Sequence, residues 1–273
     1  MPEIPTIKLN NGVNMPQLGF GVFQVPNAEA TETVTAALDA GYRSIDTAAA
    51  YGNEEGVGKA IAGFPREQLF ITTKVWNSDQ GSEETLRAFD RSASLLGLDY
   101  VDLYLIHWPA PKKDRYVETW QALIRLADEG RVSSIGVSNF QPQHLERIIN
   151  ETGRVPAVNQ IELHPFLPQE EVRDVHAKLG IATEAWSPLA KGGELLANPA
   201  ITALAEKHGR TPAQIVLRWH LQLGNVVIPK SATPSRIAEN IDVFGFVLDE
   251  SDMAAVSTLD IGHRTGPDPD HFD

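Results

Sequence analysis

A chain of 273 residues, 42% of them hydrophobic, can fill two average domains or one α/β barrel of about 250 residues, so length alone leaves both open. The net charge of −13 argues against non-specific nucleic-acid binding, which needs a basic patch to release counterions from phosphates; a few local cations would still hold an anionic small ligand. There is no cysteine, which rules out disulfides, thiolate zinc sites and a cysteine nucleophile and fits a reducing compartment.

The N-terminal stretch MPEIPTIKLNNG lacks the basic and apolar blocks of a secretory signal, and no apolar run approaches the ~18 residues of a membrane span. The expectation is a cytoplasmic protein with no membrane or nucleic-acid partner. Nothing in the pattern asks for more than a monomer.

In chain order, TIKLNNGVNMPQLGFG reads as a hairpin turning at Asn-Gly. Val34, Ala37 and Leu38 mark a first helix that Gly41 ends, and YRSIDTA follows as a strand. Glu54 to Ile61 is helical, LFITTKV a strand, and Ser82 to Leu96 a helix with Ser82 as its expected N-cap. VDLYLIHW, a helix from Tyr116 to Glu129, VSSIGVSN, a helix from Pro142 to Glu151, and AVNQIEL come next. A helix from Gln169 to Leu179 leads to the strand IATEAWSPL. Two helices, 199 to 208 and Pro212 to Leu223, precede the strand VVIPKS and a last helix from Pro234. The tail GHRTGPDPD reads as loop, partly disordered.

Seven clear strands, with LGFGV at 18–22 as an eighth, alternate with helices, which implies parallel pairing through βαβ crossovers. The predicted fold is α/β, a (β/α)8 TIM barrel with an N-terminal β-hairpin, spanning residues 1–273 as a single domain. An open doubly wound sheet is the alternative. It usually carries G-x-G-x-x-G after its first strand, whereas GFGVFQ lacks the third glycine and GNEEGVG has the wrong spacing.

In a parallel barrel, polar residues at the strand C-termini converge on one mouth. Here they are Asp46, Lys74, His107, Ser138, Asn139, Gln160, Glu162, His164, Ser187, Lys230 and Ser231. Lys and Asp are seldom buried at strand ends unless paired, so Asp46 and Lys74, on adjacent strands, are expected to neutralise each other. Tyr51 follows in the loop above Asp46. A free tyrosine is a poor acid, with a pKa near ~10, and a neighbouring ammonium is expected to lower it. Asp46 would then anchor Lys74, Lys74 would tune Tyr51, and Tyr51 would donate a proton while His107 holds the same substrate oxygen.

Six segments, GYRSIDTAAAYGNEEGVG, LFITTKVW, VDLYLIHWP, IGVSNF, VNQIELHP and VIPKS, resemble in order and over nearly the whole chain the aldo-keto reductases. Within them the resemblance is greatest to the bacterial 2,5-diketo-D-gluconate reductase branch. The resemblance implies a barrel that binds NADPH without a Rossmann domain and reduces aldehydes and ketones to alcohols. It implies that Asp46, Tyr51, Lys74 and His107 are the catalytic tetrad, with Asp46 also counted among the cofactor contacts. Ser138, Asn139 and Gln160 would hold the nicotinamide carboxamide, and Trp186 would stack on its ring. Ser187 and Leu189 would line the pyrophosphate. Lys230, Ser231 and Arg236 would bind the adenosine 2′-phosphate, flanked by Ile228 and Ala232, with Glu239 and Asn240 on adenine. Phe23, Trp76 and Trp108, with Tyr51 and His107, would surround the substrate.

The segments after the fourth and seventh strands, PAPKKDRY and AKGGELLAN, are short, and so is the tail, which leads us to expect an open mouth and small or polar dicarbonyls such as diketogluconate or methylglyoxal. Lys112, Lys113 and Arg115 read as a solvated surface run rather than a substrate clamp. Two other readings are weighed. In a metal-dependent barrel, Glu162, His164, Asp46 and His107 would be ligands; a lysine among them would repel the cation, and Glu162 with His164 reads better as a hydrogen-bonded pair. An NADPH-binding sensor or auxiliary barrel without turnover would leave the tetrad unexplained.

Overall fold

The computed structural model describes residues 4–273. A hairpin of β1 (Thr6–Lys8) and β2 (Asn14–Pro16) is followed by β3 (Phe20–Gly21), α1 (Asn27–Ala40), β4 (Ser44–Asp46), α2 (Glu54–Ile61), β5 (Phe70–Val75) and α3 (Ser82–Leu96). Then come β6 (Val101–Ile106), α4 (Tyr116–Asp128), β7 (Val132–Ser138), α5 (Pro142–Thr152), β8 (Val158–Glu162), α6 (Glu170–Leu179) and β9 (Ala182–Trp186). The chain continues through α7 (Gly193–Leu196), α8 (Pro199–His208), α9 (Pro212–Gln222), β10 (Val226–Val227), α10 (Pro234–Ile241) and α11 (Glu250–Ser257).

The strands β3 to β10 pair in parallel, in sequence order, as one eight-stranded sheet. Backbone bonds from Gly19 N to Val227 O (2.8 Å) and from Val227 N to Gln17 O (3.0 Å) join the last strand to the first. The sheet is therefore a closed (β/α)8 barrel, as the alternation of elements implied. Among the described residues no helix is long and apolar enough to cross a membrane.

Two apolar layers hold it. The larger lies between strands and helices: Val34, Ala37 and Leu38 of α1, Phe89 of α3, Trp120 and Leu123 of α4, and Trp219 of α9 are all buried there. The smaller plugs the N-terminal end of the barrel, where Leu9 and Met15 of the hairpin region meet Phe70, Leu103, Leu105, Val158 and Val226. Gly136 in β7 makes that interior possible, because a Cβ there would stand 2.6 Å from Val158 O and 2.7 Å from a Leu105 methyl. With the lower end apolar and stoppered, the polar ends of the strands are left to form the upper mouth.

Local signals placed most boundaries within a residue or two. One differs in kind. Ser82 is the first residue of α3, the N-cap is Gly81, and no side chain caps it. Gly81 N instead donates to Thr119 Oγ1 of α4 at 2.8 Å, so the start of α3 is tied to the neighbouring helix rather than capped by its own serine. Neither α7 nor α11 was anticipated. The first is a single turn, and the second is set by a capping box between Asp249 and Asp252.

Candidate active site

Register carries Asp46, Lys74, His107, Ser138, Gln160 and Trp186 to the same end of the barrel, each in the C-terminal half of its strand or just beyond it. Asp46 ends β4 and Lys74 lies near the end of β5. Their side chains are 3% and 0% exposed, and Lys74 Nζ donates to Asp46 Oδ1 at 2.6 Å. Lys74 also reaches the Thr47 carbonyl at 3.0 Å and the Tyr51 hydroxyl at 3.5 Å. Burial opposes its charge, but Asp46 and Tyr51 outweigh burial and leave the ammonium pKa above its usual value.

Tyr51 ends a short 3-10 turn, Ala49–Tyr51. The loop beneath it is fixed by Asn53, whose Nδ2 donates to the carbonyls of Val22 and Val25, both at 2.9 Å, while its Oδ1 accepts from Thr47 Oγ1 at 2.7 Å. Asn53 is therefore the reason for the Gly-Asn-Glu turn, a role the sequence did not disclose. One expectation is corrected here. Burial raises the Tyr51 pKa above the usual phenol value; Lys74 pulls it down, while Asp46 and Glu184 push with burial. In the protein alone, Lys74 limits that rise rather than making Tyr51 a strong acid.

His107 is 5.6 Å from the Tyr51 ring and 5.0 Å from Trp76, centroid to centroid. Burial first, and Lys74 second, hold its pKa well below the ordinary histidine value, so the ring is a neutral imidazole that presents one N–H. Its Nδ1 is buried without a partner among the described residues.

Asn139 takes a left-handed backbone, φ 63°, and donates to His107 O and to Ser138 Oγ, both at 3.0 Å. Its Oδ1 accepts from Trp186 Nε1 at 2.8 Å, which fixes the indole at the mouth. Gln160 Nε2 donates to Asp46 Oδ2 and to Glu184 Oε2, both at 2.8 Å. Ser187 also has a left-handed backbone, and Leu189 is half-buried beside it. Lys230 and Arg236 are exposed at the start of α10 and form no ion pair among the described residues. Two unpaired cations at a helix start suit a phosphate, and these residues fit the group. Ser231 and Ile228 are buried, Ala232 is exposed, Asn240 is buried, and Glu239 accepts from Thr211 Oγ1 at 2.7 Å.

The aromatic residues ring the tetrad. Phe23 is exposed and 5.1 Å from Tyr51. Trp108 is held by its own carbonyl, which accepts from Gln80 Nε2 at 2.7 Å. The tail alters the expected openness. Phe272 stacks 4.6 Å from Trp108 and 6.2 Å from Trp76, so it adds a wall to the mouth. Glu162, besides meeting His164 Nε2 at 3.0 Å, accepts from Thr265 Oγ1 at 2.7 Å and Gly266 N at 3.1 Å and anchors the tail. Lys191 Nζ donates to Thr265 O at 2.6 Å. The run at 112–115 is engaged with neighbours: Lys112 with Asp273, Lys113 with the Asn77 carbonyl, Arg115 with Glu84 and Glu118. Sequence reasoning missed Phe272, Thr265 and Glu184, because a tail without periodicity and a carboxyl inside an apolar strand give no local sign of their partners.

Comparison with known proteins agrees with this geometry. The profile of the aldo/keto reductase family matches residues 17–261. The chain is 61% identical over 270 residues, 98% of each chain, to an aldo-keto reductase of Mycolicibacterium smegmatis. It is 55% identical over 275 residues to the methylglyoxal reductase DkgA of Escherichia coli, covering 100% of this chain and 99% of that one. A variant of Gox0644 solved in complex with NADPH superposes with a TM-score of 0.97 at 52% identity, over 100% of both chains. The protein is an oxidoreductase that reduces carbonyl groups with NADPH. With the barrel, its polar mouth and the family profile in agreement, the chain belongs to the aldo/keto reductase family.

Proposed function

We propose that the enzyme reduces small or polar α-dicarbonyls, methylglyoxal and diketogluconate among them, and that it works as a cytoplasmic monomer whose residues 1–273 form one barrel domain. The observation that carries the reading is the buried Asp46–Lys74 pair directly beneath the Tyr51 hydroxyl, with a neutral His107 beside it. The name of the relative DkgA supports the dicarbonyl class.

When bound, NADPH supplies the hydride. Ser138, Asn139 and Gln160 hold its carboxamide and Trp186 its ring. Ser187 and Leu189 hold the pyrophosphate. Lys230, Ser231 and Arg236 would hold the 2′-phosphate, Glu239 and Asn240 the adenine, and Ile228 and Ala232 would complete the coenzyme contacts. Asp46 keeps Lys74 charged and in place. His107 donates its N–H to the carbonyl oxygen and fixes it beside Tyr51. As negative charge gathers on that oxygen, Tyr51 gives up its proton to it, and the ammonium of Lys74 stabilises the phenolate left behind. Phe23, Trp76 and Trp108 exclude water from the reacting carbon.

The test is absorbance-monitored NADPH oxidation against a panel of α-dicarbonyls, simple aldehydes and simple ketones. Turnover with kcat/KM highest for the α-dicarbonyls supports the reading. Equal or better use of apolar monocarbonyls contradicts the substrate class, and NADPH binding with no turnover on any carbonyl favours the sensor.

A further inference from the structure

Behind the proposed tetrad lies a carboxyl group that the reaction just described does not use. Glu184, in β9, is completely buried. Its Oε2 accepts from Gln160 Nε2, and its Oε1 has no partner among the described residues. The same Gln160 nitrogen donates to Asp46 Oδ2. In the strand order, β4 with Asp46 and β8 with Gln160 lie on opposite walls of the barrel, so the Gln160 amide spans its interior.

An amide nitrogen carries two protons, and here each is directed at a carboxyl group. Turning the amide over would set its oxygen against the oxygens of both Asp46 and Glu184. With one carboxyl group alone, a single hydrogen bond would fix the amide; with two acceptors, the ionised Asp46 and the Oε2 of Glu184, both N–H bonds are aimed and the plane is set. Gln160 Oε1 is then the end left for a ligand.

We propose that Glu184 is a positioning residue for the nicotinamide end of the coenzyme site: with Asp46 it locks the Gln160 amide so that the oxygen, not the nitrogen, meets the carboxamide N–H groups. This rests on the reading of Gln160 as a carboxamide contact. The arrangement also makes the charge of the network sensitive to pH. The charged and titratable groups around Glu184 are Asp46 on β4, Lys74 on β5 and Tyr51 above them. Burial, and then Asp46, push the Glu184 carboxyl up to about 8, against the pull of Gln160 and Lys74. Below that pH the carboxyl is neutral. Above it a second negative charge sits in the network, and that charge makes Tyr51 a weaker acid.

The experiment compares Glu184→Met, Glu184→Gln, Gln160→Ala and the double variant Gln160→Ala/Glu184→Met. NADPH affinity is read by tryptophan fluorescence quenching, with the pH profile of kcat for each. Glu184→Met, of similar volume but with no acceptor, is expected to weaken NADPH by about three- to tenfold, the value of one orienting hydrogen bond. In the Gln160→Ala background it is expected to add no further loss. Glu184→Gln keeps an acceptor, so NADPH affinity should stay close to wild type while the inflection of kcat near pH about 8 disappears.

Wild-type affinity in Glu184→Met, or an equal loss in both backgrounds, would overturn the proposal. If Glu184→Met does not fold, Glu184→Leu takes its place: wild-type NADPH affinity, or an equal loss with and without Gln160→Ala, is evidence against the lock, and a loss absent from the Gln160→Ala background is evidence for it. Should Gln160→Ala itself bind NADPH as tightly as wild type, the failure lies instead in the reading of Gln160 as a coenzyme contact.

Discussion

Lys74 Nζ sits 2.6 Å from Asp46 Oδ1 with neither side chain open to solvent, and it reaches the Tyr51 hydroxyl at 3.5 Å. A buried pair of this kind contributes little net stability, because desolvation offsets attraction, yet losing one partner strands a charge. Asp46→Asn is therefore expected to cost about 3–5 kcal/mol in a denaturant titration. Asp46→Asn combined with Lys74→Met should cost less than Asp46→Asn alone. A double variant less stable than either single one would contradict this.

Stability should also follow the titration of Glu184. Its carboxyl is raised from 4.5 in the unfolded chain to about 8 in the fold. The folded state thus holds a proton that the unfolded state releases. That contribution is fully present below 4.5 and is lost as pH rises through about 8. Tm measured across this window should fall with pH, and Glu184→Gln should flatten the fall. A slope unchanged in the variant would assign the trend to other groups.

At acid pH Glu162 dominates the tail. Burial works against its charge, but hydrogen bonds from His164, Thr265 and Gly266 outweigh burial and bring the carboxyl to about 2. With the folded value depressed, the stabilisation is present above 4.5 and disappears as pH falls through about 2. Glu162→Gln should speed amide exchange at Thr265 and Gly266 by roughly tenfold or more, equivalent to at least one lost charge-assisted hydrogen bond. Unchanged exchange would place the anchor elsewhere. Phe272→Ala, which removes a ring from the mouth, is expected to raise KM with little change in kcat.

The exposed Arg236, without an ion pair among the described residues, is proposed to meet the 2′-phosphate. Arg236→Ala should weaken NADPH by roughly 10- to 100-fold, the range for a charge-assisted hydrogen bond, and leave NADH almost unaffected. Parallel loss for both coenzymes in titrations would move Arg236 away from the phosphate.

The barrel was legible because its strands are short apolar runs ending in polar residues, and because helices with 3.6-residue periodicity separate them. Asp46, Lys74 and His107 were legible as a group because each closes such a run. Tyr51 required the loop after β4, and only the structure shows that Asn53 pins this loop to the carbonyls of Val22 and Val25. Glu184 was hidden inside ATEAW, where period-two alternation says that it faces the barrel but not that Gln160 and Asp46 meet it there. Phe272 and Thr265 were hidden for a different reason. Their partners, Trp108 and Glu162, lie more than a hundred residues earlier, and no local pattern encodes a contact of that separation.

The role proposed for Tyr51 is to deliver the proton beside the buried Asp46–Lys74 pair. Its most direct test is single-turnover reduction of methylglyoxal by the NADPH complex of Tyr51→Phe, with coenzyme affinity measured alongside. Unchanged NADPH binding is expected, with a reduction rate lower by about a hundredfold to ten-thousandfold, the span ascribed to a positioned general acid. A rate near that of the wild type, with the coenzyme bound as tightly, would show that the proton comes from another group.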